Sequence, residues 1–250
     1  MTETDIKYLA GLLDADGSFF FKFINNRAYL TISLDLSTGI DHNSRYTYWL
    51  CEELGVRPTY FTRTTNAKGV QGIKISVCKR ATLEKLVPRI LKYLVIKGKH
   101  LDRLFSKWKE VRGIALSDEE VNRLKEFVKT SRRDVGPIRH KEWLPRAYVA
   151  GFLDGDGSYQ MKKSSGTYNV STVSSLEDRV VADLLYKQYG GKLYYQEGWI
   201  RWRRPLGRSN KSFAVPFLRE MHRHSRLKGH KIELFLNYHS QRLNEKNPTG

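Results

Sequence analysis

Residues 8–18, YLAGLLDADGS, return at 148–158 as YVAGFLDGDGS. Tyr8 and Tyr148, Ala10 and Ala150, Gly11 and Gly151, Leu13 and Leu153, Asp14 and Asp154, Asp16 and Asp156, Gly17 and Gly157, and Ser18 and Ser158 coincide, eight of eleven positions at a spacing of 140. In a chain of 250 residues the repeat divides the molecule into two similar halves, each near the size of a small domain. Neither helix propensity nor core packing requires two acidic residues and a glycine at matching places in both.

Each stretch reads as the end of a helix. Tyr8, Leu9, Leu12 and Leu13 give an apolar face at helical spacing. Gly17 and Gly157 are expected to stop the helices by taking the left-handed conformation. Gly11 and Ala15 are four apart, as are Gly151 and Gly155, so each pair lies on one helix face and lets another backbone approach closely. Glycine inside a helix costs roughly 0.5–1 kcal/mol against alanine. The simplest compensation is that the two helices pack on each other. Asp16 and Asp156 then meet at the two C-terminal ends, where the macrodipole disfavours a carboxylate. A divalent cation relieves both that penalty and their mutual repulsion. Carboxylate and carbonyl oxygens suit Mg²⁺, which takes one or two carboxylates plus waters and substrate phosphate oxygens.

The two stretches resemble the LAGLIDADG motifs of the homing endonuclease family, and two copies in one chain match its single-chain, two-motif branch. The resemblance implies an α+β fold of two pseudo-symmetric αββαββα halves. These form antiparallel β-sheet saddles over DNA and are joined at the packed motif helices.

The rest of the chain fits that plan. FFFKFI leads through Asn25, Asn26 and Arg27, a turn signal, into AYLTISLDLS, whose strict alternation marks a half-buried antiparallel strand. Helix 43–54 ends at Gly55, a second hairpin turns at 66–69, and helices at about 80–93 and 98–112 close the half. Residues 113–142 form a linker in which Ser117 and Glu120 make a capping box opening a helix to about Lys129. The second half, 143–250, repeats the order. It has a hairpin turning at 164–166, a helix from 176 to 189, a hairpin turning at Glu197–Gly198, and helices near 212–224 and 229–243. The last residues, 244–250, are expected to fray.

Lys plus Arg number 44 and Asp plus Glu 26, a net charge of +18. So basic a balance is an electrostatic footprint for nucleic acid. Cys51 and Cys78 are too few for a disulfide framework and fit no zinc spacing, so both are expected to be buried thiols in an intracellular, reducing compartment. The first residues are acidic before their apolar segment, unlike a signal peptide. No apolar run approaches the roughly 20 residues of a membrane span, and no membrane partner is expected.

Four hairpins with basic or amide-rich faces suit β-ribbons laid in a DNA major groove, where arginine and lysine read guanine and asparagine and glutamine read adenine. The candidate DNA contacts are Lys22, Asn26, Tyr29, Thr31, Ser33, Asp35, Arg63 and Lys74 in the first half. In the second they are Gln160, Lys162, Asn169, Ser171, Gln196, Arg201 and Arg203. Two such sheets span about 20 base pairs, two helical turns.

Lys97 and Lys228 occur in the related contexts VIKGKHL and RLKGHKI, 81 and 72 residues after the motif aspartates. By resemblance they are the basic residues of the catalytic pocket. Asp16 and Asp156 are the metal-holding carboxylates, and the carbonyls of Ala15 and Gly155 are further metal ligands. The polar residue that the family tends to place near the end of the second strand has its nearest counterparts in Thr38, Gly39 and Ser174, none of them glutamine. The resemblance implies an intron-encoded, monomeric, Mg²⁺-dependent endonuclease, with Mn²⁺ able to substitute, that makes a staggered double-strand break in a long asymmetric DNA site. An RNA maturase acting on intron RNA, or a non-cleaving DNA-binding regulator, would share the fold and composition. The presence of both motif aspartates favours cleavage.

Overall fold

A computed structural model describes residues 1–37, 42–63, 70–134, 136–138, 141–162, 167–206 and 211–244. The first half contains α1 (Glu3–Asp16), β1 (Gly17–Ile24), β2 (Arg27–Ser37), α2 (His42–Leu54), β3 (Thr59–Arg63), β4 (Val70–Val77), α3 (Arg80–Ile90) and α4 (Gly98–Val111). Helix α5 (Asp118–Ser131) follows in the linker. The second half contains α6 (Arg146–Gly155), β5 (Ser158–Lys162), β6 (Thr167–Ser175), α7 (Val180–Tyr189), β7 (Lys192–Gln196), β8 (Trp199–Leu206), α8 (Lys211–His224) and α9 (Gly229–Asn244). Each half builds one antiparallel four-stranded sheet, ordered β1-β2-β4-β3 and β5-β6-β8-β7. The two orders are the same, so the repeat extends well beyond the eleven-residue motif.

The alternation in β2 sets its register. Leu30, Ile32, Leu34 and Leu36 are all buried, and with Ile73, Ile75 and Val77 of β4 they form the inner face. Asn25 and Asn26 both take left-handed backbone (φ 47° and 56°), which a two-residue hairpin turn demands and asparagine tolerates. Gly198, at φ 73°, does the same between β7 and β8. The turns expected at 66–69 and 164–166 fall outside the described residues, as do 245–250. Ser117 and Glu120 make the expected capping box at α5, and Thr2 with Asp5 makes another at α1. Among the described residues no helix is long and apolar enough to cross a membrane.

The structure corrects four expectations. The helix expected to run to 93 ends at Ile90, because the chain turns there to carry the amides of 95–97 to Asp14. The helix expected from 176 begins at Val180. Ser175 donates its hydroxyl to Asp178 and accepts the Asp178 amide, a local turn that competes with helix. Cys51 is buried as expected, but Cys78 is exposed, just past the end of β4. Gly17 is not left-handed: it has φ −75° and ψ 149°, and Gly157 also lies outside that region. Their need for glycine is space. A Cβ at Gly17 would stand 2.5 Å from the Leu13 carbonyl oxygen, and one at Gly157 2.3 Å from that of Leu153.

Space also explains the small residues within the motif helices. A Cβ on Gly11 would lie 2.0 Å from the Tyr148 carbonyl oxygen, and one on Gly151 2.0 Å from that of Tyr8. Helices α1 and α6 therefore touch backbone to backbone. One hydrophobic core runs through them from one half to the other.

Candidate active site and nucleic-acid face

The first aspartate of each motif is structural. Asp14 is buried, and its carboxylate accepts the amides of Val95 (2.6 Å), Ile96 (3.1 Å) and Lys97 (2.8 Å) and the hydroxyl of Tyr148 (2.7 Å). Asp154 accepts the amides of Arg226 (2.8 Å), Leu227 (2.9 Å) and Lys228 (3.2 Å), together with the hydroxyls of Tyr8 (2.7 Å) and Ser225 (2.6 Å). Burial pushes Asp14 above the usual carboxylate range, against the pull of its donors. Burial also raises both tyrosines, which remain donors. Sequence reasoning gave Asp14, Asp154 and Tyr148 no role, and Tyr8 only a place on the apolar face of its helix. Their identity in both copies was the available signal.

The second aspartates sit at the open end of the packed helices. Asp16 and Asp156 are exposed, and a Cβ on Gly155 would meet Asp16 Oδ2 at 2.9 Å, so only glycine leaves room there. Crowding by the surrounding protein and the nearby Asp16 carboxylate push Asp156 up to about 6, against Lys97 and Lys228, which pull it down.

Lys97 Nζ donates to the carbonyls of Leu13 (3.0 Å), Ala15 (3.2 Å) and Gly17 (2.7 Å). Lys228 Nζ donates to those of Leu153 (3.1 Å), Gly155 (2.8 Å) and Gly157 (2.6 Å). Each ammonium caps the negative end of a motif helix. Burial lowers both lysines, and the charges of Asp16 and Asp156 oppose this in each. The six residues Asp16, Asp156, Ala15, Gly155, Lys97 and Lys228 are thus brought to one place.

The donor set fits a hard divalent ion that shares its shell with substrate. It offers two carboxylates and two carbonyls, and each carbonyl has a second lone pair beside the lysine bond. No group of three or more His, Cys, Asp or Glu that could hold a metal occurs among the described residues. Asp178 also acts electrostatically on Asp156 and Lys97, and sequence reasoning missed it.

The polar sheet faces flank this centre unequally. In the first half Lys22 and Tyr29 are exposed, and Lys74 pairs with Asp35 at 3.6 Å. Thr31 and Ser33 lie on the polar face but are only 4% and 1% exposed. They are short side chains on a central strand, and Phe20 stands opposite Thr31 while Ser18 and Ser76 flank Ser33. Asn26 is not on the open face. It donates to Asp118 of the linker helix at 3.4 Å, and its carbonyl accepts the Leu116 amide at 2.8 Å. The side chains of Arg63 and Lys162 fall outside what the structure describes, as do Thr38 and Gly39. In the second half Gln160, Gln196 and Arg201 are exposed, and Ser171 is half-buried. Arg203 donates to Asn169 at 3.2 Å. A groove of about 210 Å³ joins Asp156 and Ser158 to Gln160, Ser171, Arg201 and Arg203. Trp199 and Tyr194 add exposed aromatic surface in register with this face. Their period-two spacing with Arg201 and Gln196 was the signal for them. Ser174 is buried, on the same side of β6 as Thr172.

No protein-family model and no curated protein matches the chain. Solved structures do match. The LAGLIDADG meganuclease I-AabMI bound to uncleaved DNA superposes with a TM-score of 0.67 at 14% identity, covering 96% of this chain and 92% of that one. The LAGLIDADG homing endonuclease I-GzeII in complex with its DNA target gives 0.64 at 15% identity, with 98% and 92% covered. I-SmaMI bound to uncleaved DNA in the presence of calcium ions gives 0.65 at 16% identity, with 97% and 92% covered. Nearly the whole length of each partner is matched at an identity that speaks for architecture alone, and the chain has the fold of the single-chain LAGLIDADG homing endonucleases.

Proposed function

We propose that the chain is a sequence-specific, Mg²⁺-dependent DNA endonuclease of the intron-encoded homing type, acting as a monomer inside the cell. The observation that carries this reading is the meeting of Asp16 and Asp156 at the ends of two packed helices, between two polar sheet faces. The fold is also that of solved proteins bound to DNA targets. Asp16 and Asp156, with the carbonyls of Ala15 and Gly155, hold divalent ions, for which Mn²⁺ can stand in. When bound, such an ion supplies an activated water and stabilises the leaving oxygen. Lys97 and Lys228 offset negative charge, one beside each scissile phosphate. Because both aspartates share one compact centre, the two cuts fall close together across a minor groove and leave staggered ends. The sheet faces lie in the major groove on either side, and their unequal side chains select an asymmetric target of about two helical turns.

The test is a cleavage selection. Protein with Mg²⁺ is incubated with a randomised or intron-insertion-site DNA library, beside Asp16→Asn and Asp156→Asn. Double-strand cuts at one long sequence, lost in both variants, are expected. Tight binding without cutting would instead make the chain a regulator, and preference for structured RNA a maturase.

A further inference from the structure

Two hydroxyl groups cross between the halves, and each begins a relay that ends at a lysine of the other half. Tyr148 on α6 donates to Asp14 on α1. Asp14 gathers the amides of Val95, Ile96 and Lys97, and the Lys97 ammonium reaches back over the α1 carbonyls. The mirror relay runs from Tyr8 through Asp154 and the amides of 226–228 to Lys228 over the α6 carbonyls. Tyr8 and Tyr148 are 2% and 0% exposed, so no solvent replaces either hydroxyl.

We propose that Tyr8 and Tyr148 are positioning residues that make each half's lysine depend on the docking of the opposite half: Tyr148 sets Lys97, and Tyr8 sets Lys228. The proposal rests on the endonuclease reading, in which each lysine serves one scissile phosphate. A carboxylate in a buried site must keep its donors, because an unpaired lone pair there is costly. Without Tyr148, Asp14 keeps three amides, which must turn towards the vacated side or release. Either response moves the backbone from which Lys97 springs. Asp154 is better supplied, since the Ser225 hydroxyl at 2.6 Å has no counterpart at Asp14, where Leu94 precedes the loop. Loss of Tyr8 is therefore partly covered, and loss of Tyr148 is not.

The test compares Tyr148→Phe with Tyr8→Phe and with the double variant Tyr8→Phe/Ser225→Ala. Two quantities are read: the cutting rate of each strand on a duplex labelled separately on both, and amide hydrogen exchange in the metal-free protein. Tyr148→Phe is expected to slow one strand by about tenfold, as loss of a hydrogen bond to a charged group implies, with the other strand little changed. Tyr8→Phe/Ser225→Ala is expected to slow the opposite strand, and Tyr8→Phe alone to do so less. Exchange should rise at 95–97 in the first variant and at 226–228 in the others, with sheet amides unchanged. Equal slowing of both strands by every variant, or unchanged exchange at both loops, overturns the proposal. Should Tyr148→Phe fail to fold, Tyr8→Phe, cushioned by Ser225, carries the same comparison. A wild-type protein that cuts no DNA removes the endonuclease reading, while the exchange measurement still decides whether the tyrosines hold the loops.

Discussion

The two halves agree at their shared centre and part company on their sheets. At the centre the correspondence is nearly atom for atom. Asp14 and Asp154 collect amides, Tyr8 and Tyr148 each donate a hydroxyl to the buried aspartate of the other half, and Lys97 and Lys228 each bond two carbonyls of their own motif helix and that of the glycine just past it. On the sheets the first half presents the buried hydroxyls of Thr31 and Ser33 and an Asp35–Lys74 ion pair. The second presents Arg201, Arg203, Tyr194 and a Trp199 that is 55% exposed. Where the halves touch, backbone contact leaves no room to vary. Where they face outward, only a partner's shape constrains the side chains.

The largest expected effect tests equality at the centre. Asp16→Asn and Asp156→Asn should each lower single-turnover cleavage by about three orders of magnitude, as loss of several kcal/mol of metal-borne stabilisation implies. DNA binding measured without a cleavage-supporting metal should persist. A full loss in one variant and a mild one in the other would break the equivalence.

Next comes the helix contact. Gly11→Ala and Gly151→Ala each place a methyl 2.0 Å from a carbonyl oxygen of the facing helix. Each should destabilise the chain by about 3 kcal/mol in urea unfolding, the upper end of overpacking costs, and by similar amounts.

The sheets should respond unequally. Arg201→Ala should weaken target binding by about 1–3 kcal/mol and relax base preference, if it reads a base edge. Lys22→Ala should lower binding to all sequences alike and reduce the salt slope by about 1. Gel-shift titrations at several salt concentrations separate the two patterns.

The smallest effect concerns pH. Asp156 stands at about 6 in the folded chain against an ordinary value of 3.8, so its charged form penalises the metal-free fold. That penalty is full above pH 6 and fades as pH falls through 6 towards 3.8. Asp156→Asn should therefore melt higher than wild type at neutral pH without metal, by about 2 °C, with the gap closing in acid. A gap that stays constant with pH would locate the cause elsewhere.

Much of this architecture was legible from the repeat and from alternation. The motif helices, all four hairpins and the pairing of Lys97 with Lys228 follow from local pattern. Alternation, however, gives a side chain's face and not its depth. Thr31 and Ser33 are on the expected side of β2 and yet buried, short side chains on a strand paired on both sides. The role of Asp14 needs a loop 81 residues away and a tyrosine from the other half, contacts that no local pattern carries. Asn26 shows the same limit. Its turn conformation was readable, but its attachment to the linker was not.

That attachment bears on how the molecule can be recombined. Beyond Asn26 and Asp118, the linker is held by Ser131 against the buried His100 at 3.0 Å. It is also held by an exchange of amides in which Gly136 bonds to Ile96 and Lys99 to the Gly136 carbonyl. All of these partners belong to the first half. A chimaera that takes its amino-terminal half from this chain should therefore be spliced after 138, carrying the linker helix with it. A junction at 112 would strip a buried imidazole of one of its two partners, leaving it only the Phe19 carbonyl, and would leave the lysine-bearing loop without its outer support.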